Sequence, residues 1–261
     1  MPDEVTTVSD ISKDQSAMET KGKVHNHFEE HEDVSLMDRL GPGRGTNPGG
    51  IFKDHKTGEV LYVKLYRDSS QSSCEFIANK IYQILGAPVL EGSLAPNGDQ
   101  IAYVTPYHED LRKLPEERRV EAQKYFVAAA YLMDNDMVGI GPENPYGNLL
   151  VDKNGNFVLV DHGAALLFHG LIGRKEPTLL TDRMVSEINT MRMSRYNPRS
   201  KPIFESITRK EIERQAAEII LKITPEVIDE VVGASMLPDK DKEVVRNLLI
   251  NRKNDLQRIY T

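Results

Sequence analysis

Between Tyr131 and Phe168 the chain reads YLMDNDMVGIGPENPYGNLLVDKNGNFVLVDHGAALLF, and few folds accommodate that run. It closes an apolar, helix-like segment, presents Asp134, Asn135 and Asp136 in a row, and crosses a loop rich in Gly and Pro. Asn148 then precedes two apolar runs separated by Asn154-Gly155, and Asp161 follows the second. Asn-Gly between apolar runs is a strong local signal for a β-hairpin. A hairpin there brings Asn148 and Asp161 to one end, beside the carboxylates that leave the helix. That set suits phosphoryl transfer: one carboxylate orients a hydroxyl and accepts its proton, while an Asn and a later Asp hold magnesium on nucleotide phosphates.

Upstream, LGPGRGTNPGGIFKDHKTGEVLYVKLY places five glycines before an apolar-alternating run, a turn at Lys56-Thr57-Gly58, and a strand from Val60 to Tyr66. Glycines let backbone N–H groups approach phosphates, and Lys64 on the adjacent strand can reach the same phosphates. Ser72 to Gly86 has helical spacing at Phe76, Ile77, Ile81, Ile84 and Leu85, with Ser72 or Ser73 as its cap and Gly86 at its end. Glu75 falls in the first turn of that expected helix, where a carboxylate is favoured and can meet Lys64. An antiparallel pair follows, 88–94 and 100–105, turning at Asn97-Gly98-Asp99, and Pro106-Tyr107 ends it. Helices are expected at 116–133, 182–192, 208–220, 225–232 and 239–259, with Thr208 and Glu211 as a capping box and Thr224-Pro225 as cap and first turn.

The fold class is thus α+β, β-rich first and α-helical after. Three segments are expected: an acidic, disordered tail over 1–34, an N-terminal lobe over 35–105 and a C-terminal lobe over 106–261. In the tail, His25, His27 and His31 lie among Glu29, Glu30 and Glu32. They read as a solvated charge run, because no folded frame is expected to fix metal ligands there. His162 reads as a packed or hydrogen-bonded turn residue.

A net charge of -7, with pI about 5.6 and no basic stripe, argues against nucleic acid as the main partner. The single cysteine, Cys74, can form neither an internal disulfide nor a cysteine zinc site. No apolar run reaches the roughly 18 residues of a membrane span, and Asp3 and Glu4 stand where a signal peptide would be basic. The expected setting is the cytoplasm of the producing cell, or another cell reached without a cleaved signal.

Taken together, GTNPGG at 45–50, YVK at 62–64, EFIANKIYQILG at 75–86, NDMVG at 135–139, GN at 147–148 and VDHGAALLF at 160–168 resemble the atypical kinases grouped around actin-fragmin kinase, HipA-type kinases and phosphoinositide kinases, in their bacterial and phage branch. EINTM at 187–191 and NPRSKPIFESIT at 197–208 resemble its C-terminal part, so the likeness spans about 37–258. The resemblance implies a bilobal protein-kinase-like fold that uses ATP and Mg²⁺ to phosphorylate a hydroxyl, most often on a protein. It implies that Gly45, Thr46, Asn47, Gly49 and Gly50 close over the phosphates, that Lys64 contacts them with Glu75 orienting it, and that Val104 and Pro106 meet the nucleotide. Asp136 would be the catalytic aspartate, with Asn148 and Asp161 as metal ligands. The chain departs from the branch in having Asp134-Asn135 where Trp often precedes the catalytic Asp, and Gly147 where Asp precedes the Asn. AMP transfer in the same pocket, or a non-catalytic binding module, are the rival readings.

Overall fold

A computed structural model describes residues 24–43, 47–142, 144–180 and 185–260. Five antiparallel strands lead the described chain: β1 (Asp38–Pro42), β2 (Gly49–Lys53), β3 (Val60–Lys64), β4 (Ser93–Asn97) and β5 (Gln100–Pro106), in the order β1-β2-β3-β5-β4. The β2–β3 turn forms because the Asp54 carboxylate accepts the N–H groups of Lys56 and Thr57 while Gly58 takes a φ of +79°. β3 pairs with β5 so that Lys64 stands opposite Tyr103 and Tyr62 opposite Thr105.

Helix α1 (Ser69–Ile84) crosses behind the sheet, almost wholly buried. Its cap is Asp68, whose side chain accepts from Ser70 N, so the helix starts one turn before the serines expected to cap it. Glu75 therefore lies in the second turn, and its hold on Lys64 comes from direct contact rather than from the helix terminus. Gly86 ends the helix at φ +79°, as expected from its lack of a Cβ.

A smaller sheet follows, β6 (Arg112–Lys113), β7 (Leu149–Val151) and β8 (Phe157–Leu159), its β7–β8 hairpin turning at Asn154-Gly155. The helix expected over 116–133 is instead a tight 3₁₀ run, Glu116–Tyr125, and then α2 (Phe126–Tyr131). Gln215 enters the break, accepting Val127 N–H at 3.0 Å and donating to Gln123 O at 2.8 Å. A side chain that satisfies both backbone groups removes the need for a continuous helical ladder.

The remaining helices are α3 (Val185–Thr190), α4 (Lys201–Phe204), α5 (Arg209–Lys222), α6 (Pro225–Ala234) and α7 (Asp239–Tyr260). Thr208 and Thr224 cap α5 and α6 through their hydroxyls, as their spacing indicates. Arg252 of α7 is fully buried and donates to Ala130 O and Tyr131 O at the end of α2, with Glu187 as its counter-ion at 3.0 Å. It thereby caps α2 and fixes where the chain departs for Asp134. The larger core joins α1 to the helical half; a smaller one lies on the other face of the sheet around Phe52, Leu61, Val63 and Val104. Among the described residues no helix is long and apolar enough to cross a membrane.

One expectation fails here. Residues 24–34 are not a free tail: His31 is buried, with Nδ1 2.8 Å from Asp54 and Nε2 3.0 Å from Ser93, and Val34 packs beneath the sheet. Composition hides this, because the segment is held by paired polar groups more than by apolar burial. The rest of the expected tail lies outside the described residues.

Candidate active site

Lys64, the last residue of β3, sits at the centre of the site. Its Nζ lies 2.6 Å from Glu75 Oε1 and 2.9 Å from Asp161 Oδ1, joining β3 and α1 to the segment after β8. Burial disfavours the ammonium, but the Asp161 and Glu75 charges outweigh it and hold its pKa above the ordinary lysine range. Asp161 is also partly desolvated, yet Lys64 keeps its carboxyl below the usual value. Glu75 is wholly buried and satisfied on both oxygens: Tyr66 Oη donates to Oε2, and His162 N donates to Oε1 at 3.1 Å.

The carboxylates after α2 separate into two environments. Met133 leaves the helix at φ +55°, and of the two carboxylates that follow, Asp134 is buried while Asp136 stays partly open, short of the residues that line the cavity described below. Asp134 is completely buried; its Oδ2 accepts from Tyr82 Oη at 3.1 Å and lies 3.1 Å from His162 Nδ1. Among the described residues, its Oδ1 and His162 Nε2 have no hydrogen-bond partner. Asp136 is partly buried and accepts from Ile140 N. Burial, with smaller contributions from Asp134 and Asp161, outweighs that bond and lifts its pKa to about 7.

Asn148 ties this segment to the hairpin end, its Nδ2 donating to Asp136 O at 2.8 Å. Gly139, at φ +77°, permits the connecting loop, since a Cβ there would lie 2.7 Å from Gly147 N. Asp161 itself is at φ +64° and Leu166 at +52°, while Lys175 Nζ gathers the carbonyls of Met133, Ala164 and Leu166. Left-handed backbone at non-glycine residues persists only where surrounding contacts impose it.

A cavity of about 240 Å³ opens between the large and small sheets, lined by Lys64, Glu75, Tyr103, Thr105, Pro106, Asn148 and Asp161 among others. Gly49 pairs with Lys64 and Gly50 with Val63, so both lie beside the cavity's lysine edge. Asn47 stands just before β2; Gly45 and Thr46 lie outside the described residues. Val104 does not line the cavity. Strand alternation turns it into the smaller core and sends Tyr103 and Thr105 to the cavity side. Sequence reasoning passed over Tyr66, Tyr82 and Lys175. Tyr66 shares a strand face with Lys64 and Tyr82 lies two helical turns after Glu75, signals that could have found them; Lys175, in an irregular segment, carries none.

Chemically, two carboxylates, Glu75 and Asp161, converge on the one Lys64 ammonium, a balance that favours a further cation. No protein-family model matches the sequence, and no curated protein matches it. The crystal structure of a Helicobacter pylori proinflammatory kinase, CtkA, matches with a TM-score of 0.59 at 13% identity, over 88% of this chain and 96% of that one. At that identity the likeness shows the fold, which is kinase-like, with an antiparallel sheet-rich first part and a helical second part. An N-terminal 618-residue fragment of LepB from Legionella pneumophila matches with a TM-score of 0.43 at 13% identity, over 81% of this chain and 46% of that one.

Proposed function

We propose that this chain is an ATP- and Mg²⁺-dependent phosphotransferase acting on a hydroxyl of a protein substrate, with residues 35–105 and 106–261 as its two lobes. The observation that carries the reading is the single Lys64 paired with both Glu75 and Asp161, while Asn148 bonds the Asp136 segment. Lys64, Glu75, Asn148 and Asp161, from two well-separated stretches of the chain, line one cavity, and each has a distinct use in phosphoryl transfer. The kinase-like fold supports the class, and the likeness to the bacterial and phage branch of atypical kinases supports a protein substrate.

The donors fit magnesium. Asn148 donates through Nδ2, which leaves its Oδ1 as acceptor, and Asp161 is 39% exposed at the side chain with Oδ1 on Lys64. Oxygen donors of this kind suit a hard cation, so Asn148 and Asp161 would hold Mg²⁺, which neutralises phosphate charge when bound.

The chain's own groups would act as follows. Lys64 meets the α- and β-phosphates, kept charged and aimed by Glu75, which Tyr66 and His162 N–H hold in place. Gly49 and Gly50 let the backbone approach the phosphates from the neighbouring strand. Asp136 accepts the substrate proton as the hydroxyl oxygen bonds to the γ-phosphorus; the bond from that phosphorus to the bridging oxygen breaks, ADP leaves with its electron pair, and Asp136 returns the proton to water. A carboxyl with a pKa of about 7 is matched to proton exchange near neutrality. Buried Asp134, on this reading, positions the loop rather than touching substrate.

Incubating lysate proteins with ATP labelled separately at the α and γ positions tests this, comparing wild type with Asp161→Ala. Transfer of γ-label alone by the wild type, lost in the variant, is the expected result. Retention of α-label on the target would assign AMP transfer instead, and no transfer of either label would assign a binding module.

A further inference from the structure

Residues 24–34 form a strap across the molecule. At one end Val24 N donates to Glu230 and Asn26 Nδ2 to Ala234 O, both on α6, while Asn26 O accepts from Leu94 N on β4. At the other, His31 is buried between Asp54 and Ser93. His25 lies within the first anchor, and His27 and Glu30 lie on the stretch that runs from it to His31.

We propose that His25, His27 and Glu30 bind one divalent late transition-metal ion, of which Zn²⁺ is the type, and that the ion staples the strap where it joins α6 to the sheet. The ligand atoms of the three residues already lie within 4.8 Å of one another. Glu30 offers one oxygen to each ring: Oε2 is 2.9 Å from His27 Nδ1 and Oε1 is 3.6 Å from His25 Nδ1. Bonds of roughly 2.0–2.2 Å to a tetrahedral ion separate ligand atoms by about 3.3–3.6 Å, so small side-chain rotations suffice.

Backbone geometry sets this arrangement up. His27 takes a φ of +54°, the Glu30 N–H returns to His27 O at 3.0 Å, and the two imidazoles meet edge to face at 4.8 Å. His27 N donates to His25 Nδ1 at 3.2 Å, which puts that ring's proton on Nε2 and keeps the lone pair at Nδ1 beside Glu30. The ion would displace this weak bond.

Two imidazoles and a carboxylate select zinc-like ions over magnesium or calcium, which take oxygen donors. Three protein ligands leave a fourth position for water. The side chains are 62%, 34% and 56% exposed, so an ion can reach them without unfolding the strap. Glu29, Glu32 and Asp33 add negative charge nearby. Without a metal the cluster is held by one exposed contact, His27 Nδ1 to Glu30 Oε2 at 2.9 Å, with the weaker His27 N to His25 Nδ1 bond. The proposal does not depend on the phosphotransferase reading.

The test uses the untagged full chain, stripped with chelator. Zn²⁺ is titrated calorimetrically, and Co²⁺ is used as a spectroscopic probe. One equivalent should bind at micromolar or tighter Kd, with the strong visible bands of low-coordinate cobalt, and millimolar Mg²⁺ should not displace it. Even loss of a group behind a ligand weakens metal sites about 10- to 100-fold, so His25→Ala/His27→Ala should weaken binding by at least about tenfold and abolish the cobalt bands. Zinc well above Kd should raise the wild-type Tm by about 5 °C or more and leave the double variant unmoved. Glu30→Gln keeps a hydrogen-bond acceptor and should also weaken binding, which serves if the double variant folds poorly. Zinc and cobalt titrations that are the same in wild type and Glu30→Gln, or absent in the wild type, would overturn the proposal and leave an ion pair only.

Discussion

Replacing Asp136 with Asn should remove most turnover and raise stability in the same variant, because its carboxylate is held where burial and neighbouring charges oppose ionisation. Moving that carboxyl from 3.8 to about 7 corresponds to about 4 kcal/mol between its two protonation states. Water reaching the partly buried side chain makes that an upper bound. Even a quarter of it, about 1 kcal/mol, moves the Tm by about 2–4 °C in a domain of this size. The sign follows from proton counts. Between pH 3.8 and about 7 the folded state keeps a proton that the unfolded chain has lost, so stability falls as pH rises through that window and is level above it. Asn carries no such penalty and can still accept the Ile140 N–H. The variant should therefore gain Tm at pH 8 and gain well under half as much at pH 5. In wild type the ionised fraction is about one tenth at pH 6 and nine tenths at pH 8, so kcat/KM should rise about tenfold between them. The Asn variant should lose about 10² in turnover, as loss of a positioned base commonly does, and its residual rate should be flat over that range. Thermal melts and label-transfer rates at pH 5, 6 and 8 decide it. An equal Tm change at pH 5 and pH 8, or a residual rate that still rises about tenfold, would refute the assignment.

Glu75→Gln should lower kcat/KM about tenfold, on the order of one charge-assisted contact, and Lys64→Ala more; steady-state kinetics with ATP varied would reject the orienting role if Glu75→Gln were the more damaging. Asp134→Ala strands Tyr82 Oη and His162 Nδ1 in the core and should cost about 1–3 kcal/mol, read in denaturant melts. An unchanged midpoint would show that the buried cluster holds nothing. Gly139→Ala meets both a positive φ and Gly147 N, and a loss of about 1–3 kcal/mol is expected; a Tm within 1 °C of wild type, roughly the assay's scatter, would contradict the loop geometry. His31→Ala leaves Asp54 and Ser93 short of a buried partner and should lower the Tm by several degrees, about 1 kcal/mol or more, whereas no change would return residues 24–34 to the status of a free tail.

Much of the architecture was legible locally. The β7–β8 hairpin, the Gly58 and Gly86 turns, and the Thr208 and Thr224 caps rest on interactions within a few residues, where residue type alone sets the preference. Period-two and 3.6-residue patterns marked the strands and the longer helices for the same reason. Lys64, Glu75, Asp136, Asn148 and Asp161 stood out only as an ordered set, since none of them is distinctive alone, and the fold brings Lys64, Glu75, Asn148 and Asp161 to one cavity.

Other features depended on contacts between distant segments. Asp134 and Asp136 are two residues apart, and nothing local distinguishes them; Met133 at positive φ, with Tyr82 and His162 waiting in the core, buries one and leaves the other partly open. The break between the 3₁₀ run and α2 exists because Gln215 comes from another helix to satisfy it. Val104 and Tyr103 exchange roles through strand register, which a neighbouring strand sets. The strap looked disordered because its stabilising partners, Asp54, Ser93, Glu230 and Ala234, are contributed from elsewhere. Local sequence determined backbone preference and the inventory of reactive groups; the tertiary structure alone determined which of those groups lost water, since desolvation depends on neighbours that only the folded chain brings together.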